Sequence, residues 1–200
     1  MNPLLPEEMQ RELILASRSP RRRDIMRGLE LEFEVVPADD HVEDDVVGVE
    51  LLQRPLECAR LKARHVAELH PRNTVIGADT VVFLEDQALE KPRDDEEASL
   101  FLKRLSGRTH TVITGVSICR REAGIEVSGT ETTRVQFRQL TDDQIQRYVE
   151  AGEGRDKAGA YAVQGLGAGL VRRIEGCFYN VVGLPVSLLF DLLRQSGERS

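Results

Sequence analysis

The chain has 200 residues, 40% of them hydrophobic, and a formal net charge of −7. That apolar content supplies a core for one large or two small domains. The acidic balance excludes a general nucleic-acid binder, which needs a surplus of basic surface, but leaves room for a small anion in a local basic pocket.

In chain order, residues 1–13 carry acids and prolines without an apolar h-region, so they do not read as a signal peptide. No apolar run reaches the length of a membrane span. The segment Leu-Ile-Leu-Ala-Ser-x-Ser-Pro-Arg-Arg (residues 13–22) is the most informative stretch. An apolar strand enters a Ser-rich turn that opens a helix, with Ser19 as N-cap and Pro20 at the first helical position. Arg21 and Arg22 then occupy the first turn, where the helix dipole disfavours cations. Backbone N–H groups, the hydroxyls of Ser17 and Ser19 and two guanidiniums together suit a polyphosphate. The plainer alternative is a solvated basic helix start.

The helix is expected over residues 20–27 with Gly28 as its stop, followed by a strand at 33–37. Residues 39–50 are acidic and aperiodic and read as a loop. A helix over 55–69 aligns Leu56, Ala59, Ala63, Val66 and Ala67 on one stripe, with Lys62 inside the stripe's angular range. Lys62 either snorkels over the core or delivers a cation into a pocket, and helix geometry leaves both open. Residues 74–84 are apolar and β-branched but contain Gly77-Ala78-Asp79-Thr80. An Asp in such a run must be hydrogen-bonded, must bind a cation, or carries a desolvation cost. A Gly-containing bend between two strands is the structural alternative.

Glu85-Asp86-Gln87 reads as a hairpin turn leading to Glu90-Lys91-Pro92. A helix follows over 94–105, with Asp94 and Glu97 at capping-box spacing and Gly107 beyond its end. Long strands at 109–119 and 125–137 are joined by a turn at Glu122-Ala123-Gly124. Thr141 and Gln144 form a second capping pair for a helix to about Ala151. The Gly-rich stretch 152–169 permits close backbone approach to a ligand, or tight connections between strands. A last amphipathic helix covers 185–195. The mix predicts one α/β unit around a central sheet.

Cys58, Cys119 and Cys177 are odd in number, widely spaced and in no metal-ligand pattern, so they read as reduced thiols and point to the cytoplasm. His41, His65, His70 and His110 show no zinc spacing and are expected at the surface or in structural roles. There is no Walker A loop, dinucleotide-binding fingerprint or Gly-x-Ser-x-Gly elbow.

Six ordered motifs carry a resemblance. They are residues 13–22, Val-Ile-Gly-Ala-Asp-Thr (75–80), Glu-Lys-Pro (90–92), Leu-Ser-Gly-Arg-Thr-His (105–110), Asp-Lys-Ala-Gly-Ala-Tyr (156–161) and Val-Val-Gly-Leu-Pro (181–185). Together they resemble the Maf family of nucleoside triphosphate pyrophosphatases over nearly the whole chain. The resemblance implies a single domain over 1–200 with an α/β fold similar to the inosine triphosphate pyrophosphatases. That fold is a long twisted mixed sheet with flanking helices and two lobes around a central cleft. It also implies hydrolysis between the α and β phosphates with a divalent metal cation, Mg2+ or Mn2+.

By the same resemblance, Asp79 is the general base and a metal ligand, and Arg22, Lys62 and Lys91 hold the triphosphate with a hydroxyl contact from Ser17. Relatives that prefer 7-methyl-GTP carry Trp, Gln and Glu where this chain has Arg21, Thr80 and Gln164. The set present here is similar to the dTTP/UTP-specific branch. A glutamine amide and a threonine hydroxyl can match a pyrimidine edge and reject ligands that leave them unpaired. The family's acidic motif aligns to Asp44 as a second metal ligand, with Glu43 as the alternative. The expected partner is a nucleoside triphosphate, with no nucleic acid and no membrane; a homodimer stays open. Other readings are a 7-methyl-GTP or modified-nucleotide pyrophosphatase and a non-catalytic nucleotide-binding regulator of cell division, the last having no need of an ionisable Asp79.

Overall fold

The protein, seen in a computed structural model, is described over residues 2–39, 41, 42, 46 and 48–198. β1 (Leu13–Leu15) is wholly buried and pairs in parallel with β2 (Phe33–Val35) and β3 (Thr74–Leu84). Parallel neighbours need crossovers. These contain α1 (Pro20–Gly28), between β1 and β2, and α2 (Arg54–Leu69), between β2 and β3. Four further strands are β4 (Gln87–Leu89), β5 (Thr109–Arg120), β6 (Ile125–Phe137) and β7 (Val171–Glu175). Among the described residues the sheet order is β2-β1-β3-β5-β6-β7, with β4 antiparallel on β3 and β7 antiparallel on β6. The remaining helices are α3 (Asp95–Leu105), α4 (Asp142–Glu150), α5 (Phe178–Val182) and α6 (Val186–Gly197). The result is the expected α/β fold, a central mixed sheet with flanking helices.

Where the sequence admitted a bend at Gly77-Ala78-Asp79-Thr80, β3 runs unbroken through 11 residues. The glycine serves packing instead. A Cβ on Gly77 would lie 2.2 Å from the Ala59 carbonyl oxygen and 2.8 Å from the Ala63 nitrogen, both on α2. Gly115 on β5 does the same for the start of α2, where a Cβ would stand 2.4 Å from the Pro55 carbonyl oxygen. Two glycines on neighbouring strands thus let the helix backbone lie directly on the sheet.

The chain divides into two compact units. The first comprises residues 1–79, 114–131 and 183–200. Its core includes Ile14, Ala16, Ala63, Val66, Ala67, Val75 and Cys119. Arg60 and Arg64 tie α2 to β6 through Ser128 at 2.8 Å and Glu126 at 2.7–2.8 Å. The second comprises residues 80–113 and 132–182. There α4 opens with a complete capping box from Thr141 and Gln144. α3 keeps only half of its expected box. Asp94 accepts from the Glu97 amide at 2.8 Å, while the Glu97 carboxylate binds the Arg93 amide and guanidinium. His110, Phe137 and Tyr161 stack edge to face with centroids 4.8–5.3 Å apart. His110 is therefore structural, one of the two expected settings for the histidines. No helix among the described residues is long and apolar enough to cross a membrane.

Candidate active site

In the first unit the turn after β1 folds as its sequence dictates. Ser19 caps α1 by accepting from the Arg22 amide at 3.4 Å, with Pro20 in the first turn. Arg22 is not a solvated helix-start cation: it is only 8% exposed. Its Nε donates to the Gly183 carbonyl at 2.8 Å and one terminal nitrogen donates to Ser17 Oγ at 3.0 Å. Ser17 Oγ also accepts from the Ser19 amide at 3.3 Å. The structure thus brings Ser17 and Arg22 together as one buried, hydrogen-bonded pair of fixed orientation. Arg21, next to it, is half-buried.

The second pair is Lys62 and Asp79. Lys62 Nζ donates to Asp79 Oδ1 at 2.8 Å, and the two side chains are only 13% and 16% exposed. Strand alternation explains the meeting. Gly77 faces α2, so Asp79, two residues on, faces the same helix, where Lys62 emerges one turn beyond Ala59. The glycine that brings α2 down onto β3 therefore also brings the lysine to the carboxylate. The snorkelling reading of Lys62 gives way to an ion pair sheltered from bulk water, where Coulomb attraction is screened less than at the surface. Asp79 Oδ2 makes no hydrogen bond to a described residue.

Thr80, Lys91 and Gln164 belong to the second unit. Alternation turns Thr80 to the face of β3 opposite Asp79, the face of Val82, which packs against Gly159. Lys91 is exposed just after β4. Its neighbour Glu90 accepts a backbone hydrogen bond from Gly159 at 3.1 Å, joining the Glu-Lys-Pro and Asp-Lys-Ala-Gly-Ala-Tyr motifs. Gln164 is exposed at the start of a 3-10 segment, Gly165–Leu170. Asp44 and its alternative Glu43 lie outside the described residues.

Sequence reasoning missed one feature of the second unit. Glu153 accepts from the Leu166 amide at 2.9 Å, the Gly167 amide at 2.8 Å and the Tyr148 hydroxyl at 2.9 Å. Partial burial pushes its carboxyl up, but these donors outweigh it and hold the group below the ordinary glutamate value. Burial raises the Tyr148 phenol, which stays protonated. Such side-chain to backbone bonds leave no periodic trace in a sequence.

For a divalent cation the described donors are sparse. No group of three or more His, Cys, Asp or Glu residues among them could hold a metal ion. Asp79 offers one sheltered carboxylate oxygen beside a lysine. That donor set fits Mg2+ bound through one carboxylate with the remaining positions taken by phosphate oxygens and water, which is the usual arrangement for that ion.

The architecture is that of a known class of mixed α/β proteins. The Ham1 protein of Staphylococcus aureus shares it with a TM-score of 0.51 and 16% identity, covering 92% of this chain and 99% of that one. Sequence narrows the class, since the Maf-like protein family model matches residues 12–196 and the chain belongs to the Maf family. A relative from Thermoanaerobacter sp. (strain X514) is 46% identical over 185 residues, 92% of this chain and 96% of its own. One from Deinococcus radiodurans is 45% identical over 196 residues, 96% of this chain and 97% of its own. Both relatives are named dTTP/UTP pyrophosphatase.

Proposed function

We propose that this chain is a nucleoside triphosphate pyrophosphatase that converts dTTP and UTP to the monophosphate and pyrophosphate. The observation that carries the reading is the sheltered Lys62–Asp79 pair, standing in a chain whose relatives bear that activity in their names. Asp79 accepts the proton of a water whose oxygen attacks the α phosphorus, and the bond from that phosphorus to the bridging oxygen breaks. Pyrophosphate leaves with the bridging oxygen and its electron pair. A divalent cation, bound with the nucleotide and Asp79, would supply charge stabilisation for the phosphates. Lys62 fixes one carboxylate oxygen, so the other has a defined direction toward the water. Arg22, held by Ser17 and Gly183, and the exposed Lys91 supply cationic donors for the triphosphate. Arg21, Thr80 and Gln164 choose the base. The proposed setting is the cytoplasm, where all three cysteines remain free thiols.

The test is pyrophosphate release from dTTP with Mg2+ or Mn2+, for wild type and for Asp79→Asn. The variant keeps size and polarity but loses the proton acceptor. Turnover is expected to fall by roughly two to four orders of magnitude with nucleotide binding retained. Near-normal turnover in Asp79→Asn would remove the assigned base. Release of orthophosphate instead of pyrophosphate would overturn the reaction.

A further inference from the structure

Gln164 is exposed, and an exposed glutamine carries too much rotamer and backbone freedom to discriminate nucleobases unless its backbone is fixed. The fixing group is visible on both sides of it. Upstream, the Ala162 amide donates to the Tyr148 hydroxyl oxygen at 3.0 Å. Downstream, the Leu166 amide donates to Glu153 Oε1 at 2.9 Å and the Gly167 amide to Glu153 Oε2 at 2.8 Å. The two anchors are one unit, because the Tyr148 hydroxyl donates to Glu153 Oε2 at 2.9 Å. Gly165 completes it. With φ of +62°, it takes a conformation that L side chains rarely adopt, and a Cβ there would sit 2.2 Å from Glu153 Oε1. Gly167 is as close, its missing Cβ falling 2.1 Å from the Ala162 carbonyl oxygen.

We propose that Glu153, acting through Tyr148 and the amides of residues 162, 166 and 167, is the positioning residue that holds Gln164 for base selection. Glu153 does not touch the nucleotide in this account. Its two carboxylate oxygens hold the downstream end of the loop directly and the upstream end through the Tyr148 hydroxyl, so the Gln164 side chain starts from a fixed backbone. A carboxylate suits the task because all its partners are donors; a glutamine in its place would set an NH2 group against one of them. The inference rests on the reading of Gln164 as a base-selecting residue.

The experiment is the ratio of kcat/KM for dTTP over GTP in the full chain. It compares wild type, Gln164→Ala, Glu153→Gln, Tyr148→Phe, Gly165→Ala and the pair Glu153→Gln with Gln164→Ala. Thermal melting is recorded for each. Glu153→Gln is expected to lower the ratio by about tenfold or more, mostly through KM for dTTP, while the GTP value changes little. Tyr148→Phe and Gly165→Ala, which attack the same clamp from its other sides, should do likewise. Adding Gln164→Ala to Glu153→Gln should cause no further loss. A purely structural role would lower both nucleotides together, and that result overturns the proposal. So does an unchanged ratio in Glu153→Gln and Tyr148→Phe while Gln164→Ala lowers it. If Gln164→Ala itself leaves the ratio intact, the base-selecting role of Gln164 falls and this inference falls with it. Should Glu153→Gln fail to fold, Tyr148→Phe and Gly165→Ala decide the matter alone.

Discussion

His110 shows what one buried ring imposes on the molecule. It is 2% exposed, shares a 2.7 Å hydrogen bond with the Tyr161 hydroxyl and stacks against Phe137 and Tyr161. Its Nδ1 has no hydrogen-bond partner among the described residues. Burial lowers its pKa to about 4. The sign of the linkage follows: an unfolded histidine takes up a proton near pH 6.5, and the folded one does so only near pH 4. The stabilising contribution is complete above pH 6.5 and is lost as pH falls toward 4, a change on the order of 3 kcal/mol. Urea unfolding of wild type between pH 7.5 and 4 should show this decline, and His110→Phe should flatten the part that falls in that window. An equal slope in the two proteins would place the titration elsewhere. Tyr161, buried and shifted upward, stays protonated throughout.

At the scale of elements, α2 is held to the sheet by two missing methyl groups. Gly77→Ala would force a Cβ to within 2.2 Å of a carbonyl oxygen and 2.8 Å of a backbone nitrogen, neither of which can rotate away. The helix must move, at a cost of about 1–3 kcal/mol for overpacking. Because α2 also carries Lys62, that movement should loosen its 2.8 Å bond to Asp79 and reduce kcat in the molecules that still fold. Gly28→Ala is the control, since nothing lies within 4 Å of its would-be Cβ. Urea midpoints and kcat for the two variants check the claim; equal stability of Gly77→Ala and Gly28→Ala would refute the packing role. The sequence made α2, the β5–β6 hairpin and the caps Ser19, Asp94 and Thr141 legible, because period 3.6, long β-branched runs and cap chemistry are local signals. β7 was hidden because a short charged edge strand, Val-Arg-Arg-Ile-Glu, has no period-two pattern. α5 is five residues long and lacks room for helical periodicity. The motifs singled out the candidate site residues by type. The pairing of Lys62 with Asp79, the burial of Arg22 on Gly183 and the Glu153 clamp were not, because each depends on which element lies beside which.

At the scale of the whole molecule, the proposed reading assigns chemistry and base choice to different side chains. Asp79 and Thr80 are chain neighbours, yet alternation along β3 sends them to opposite faces. A change at Thr80 is therefore expected to leave the carboxylate on Lys62 in place. Arg21 comes from α1 and Gln164 from the loop whose amides Glu153 binds; in the proposed reading the three act on base choice through the nucleotide and not through one another. Under that reading, each would offer polar groups that a matching pyrimidine satisfies and a methylated guanine strands. Once a bound base covers these groups, a stranded donor or acceptor costs about 1–3 kcal/mol, so three together would give discrimination of several orders of magnitude. Wild type is expected to hydrolyse dTTP and UTP well and 7-methyl-GTP poorly. The combined variant Arg21→Trp, Thr80→Gln and Gln164→Glu should weaken or reverse that order through KM, while Asp79→Asn lowers kcat for every nucleotide alike. Measuring kcat/KM for the three substrates at saturating metal separates the outcomes. A wild-type preference for 7-methyl-GTP would overturn the dTTP/UTP reading and leave the pyrophosphatase standing. A combined variant with unchanged preference would show that base choice resides in other residues of the chain.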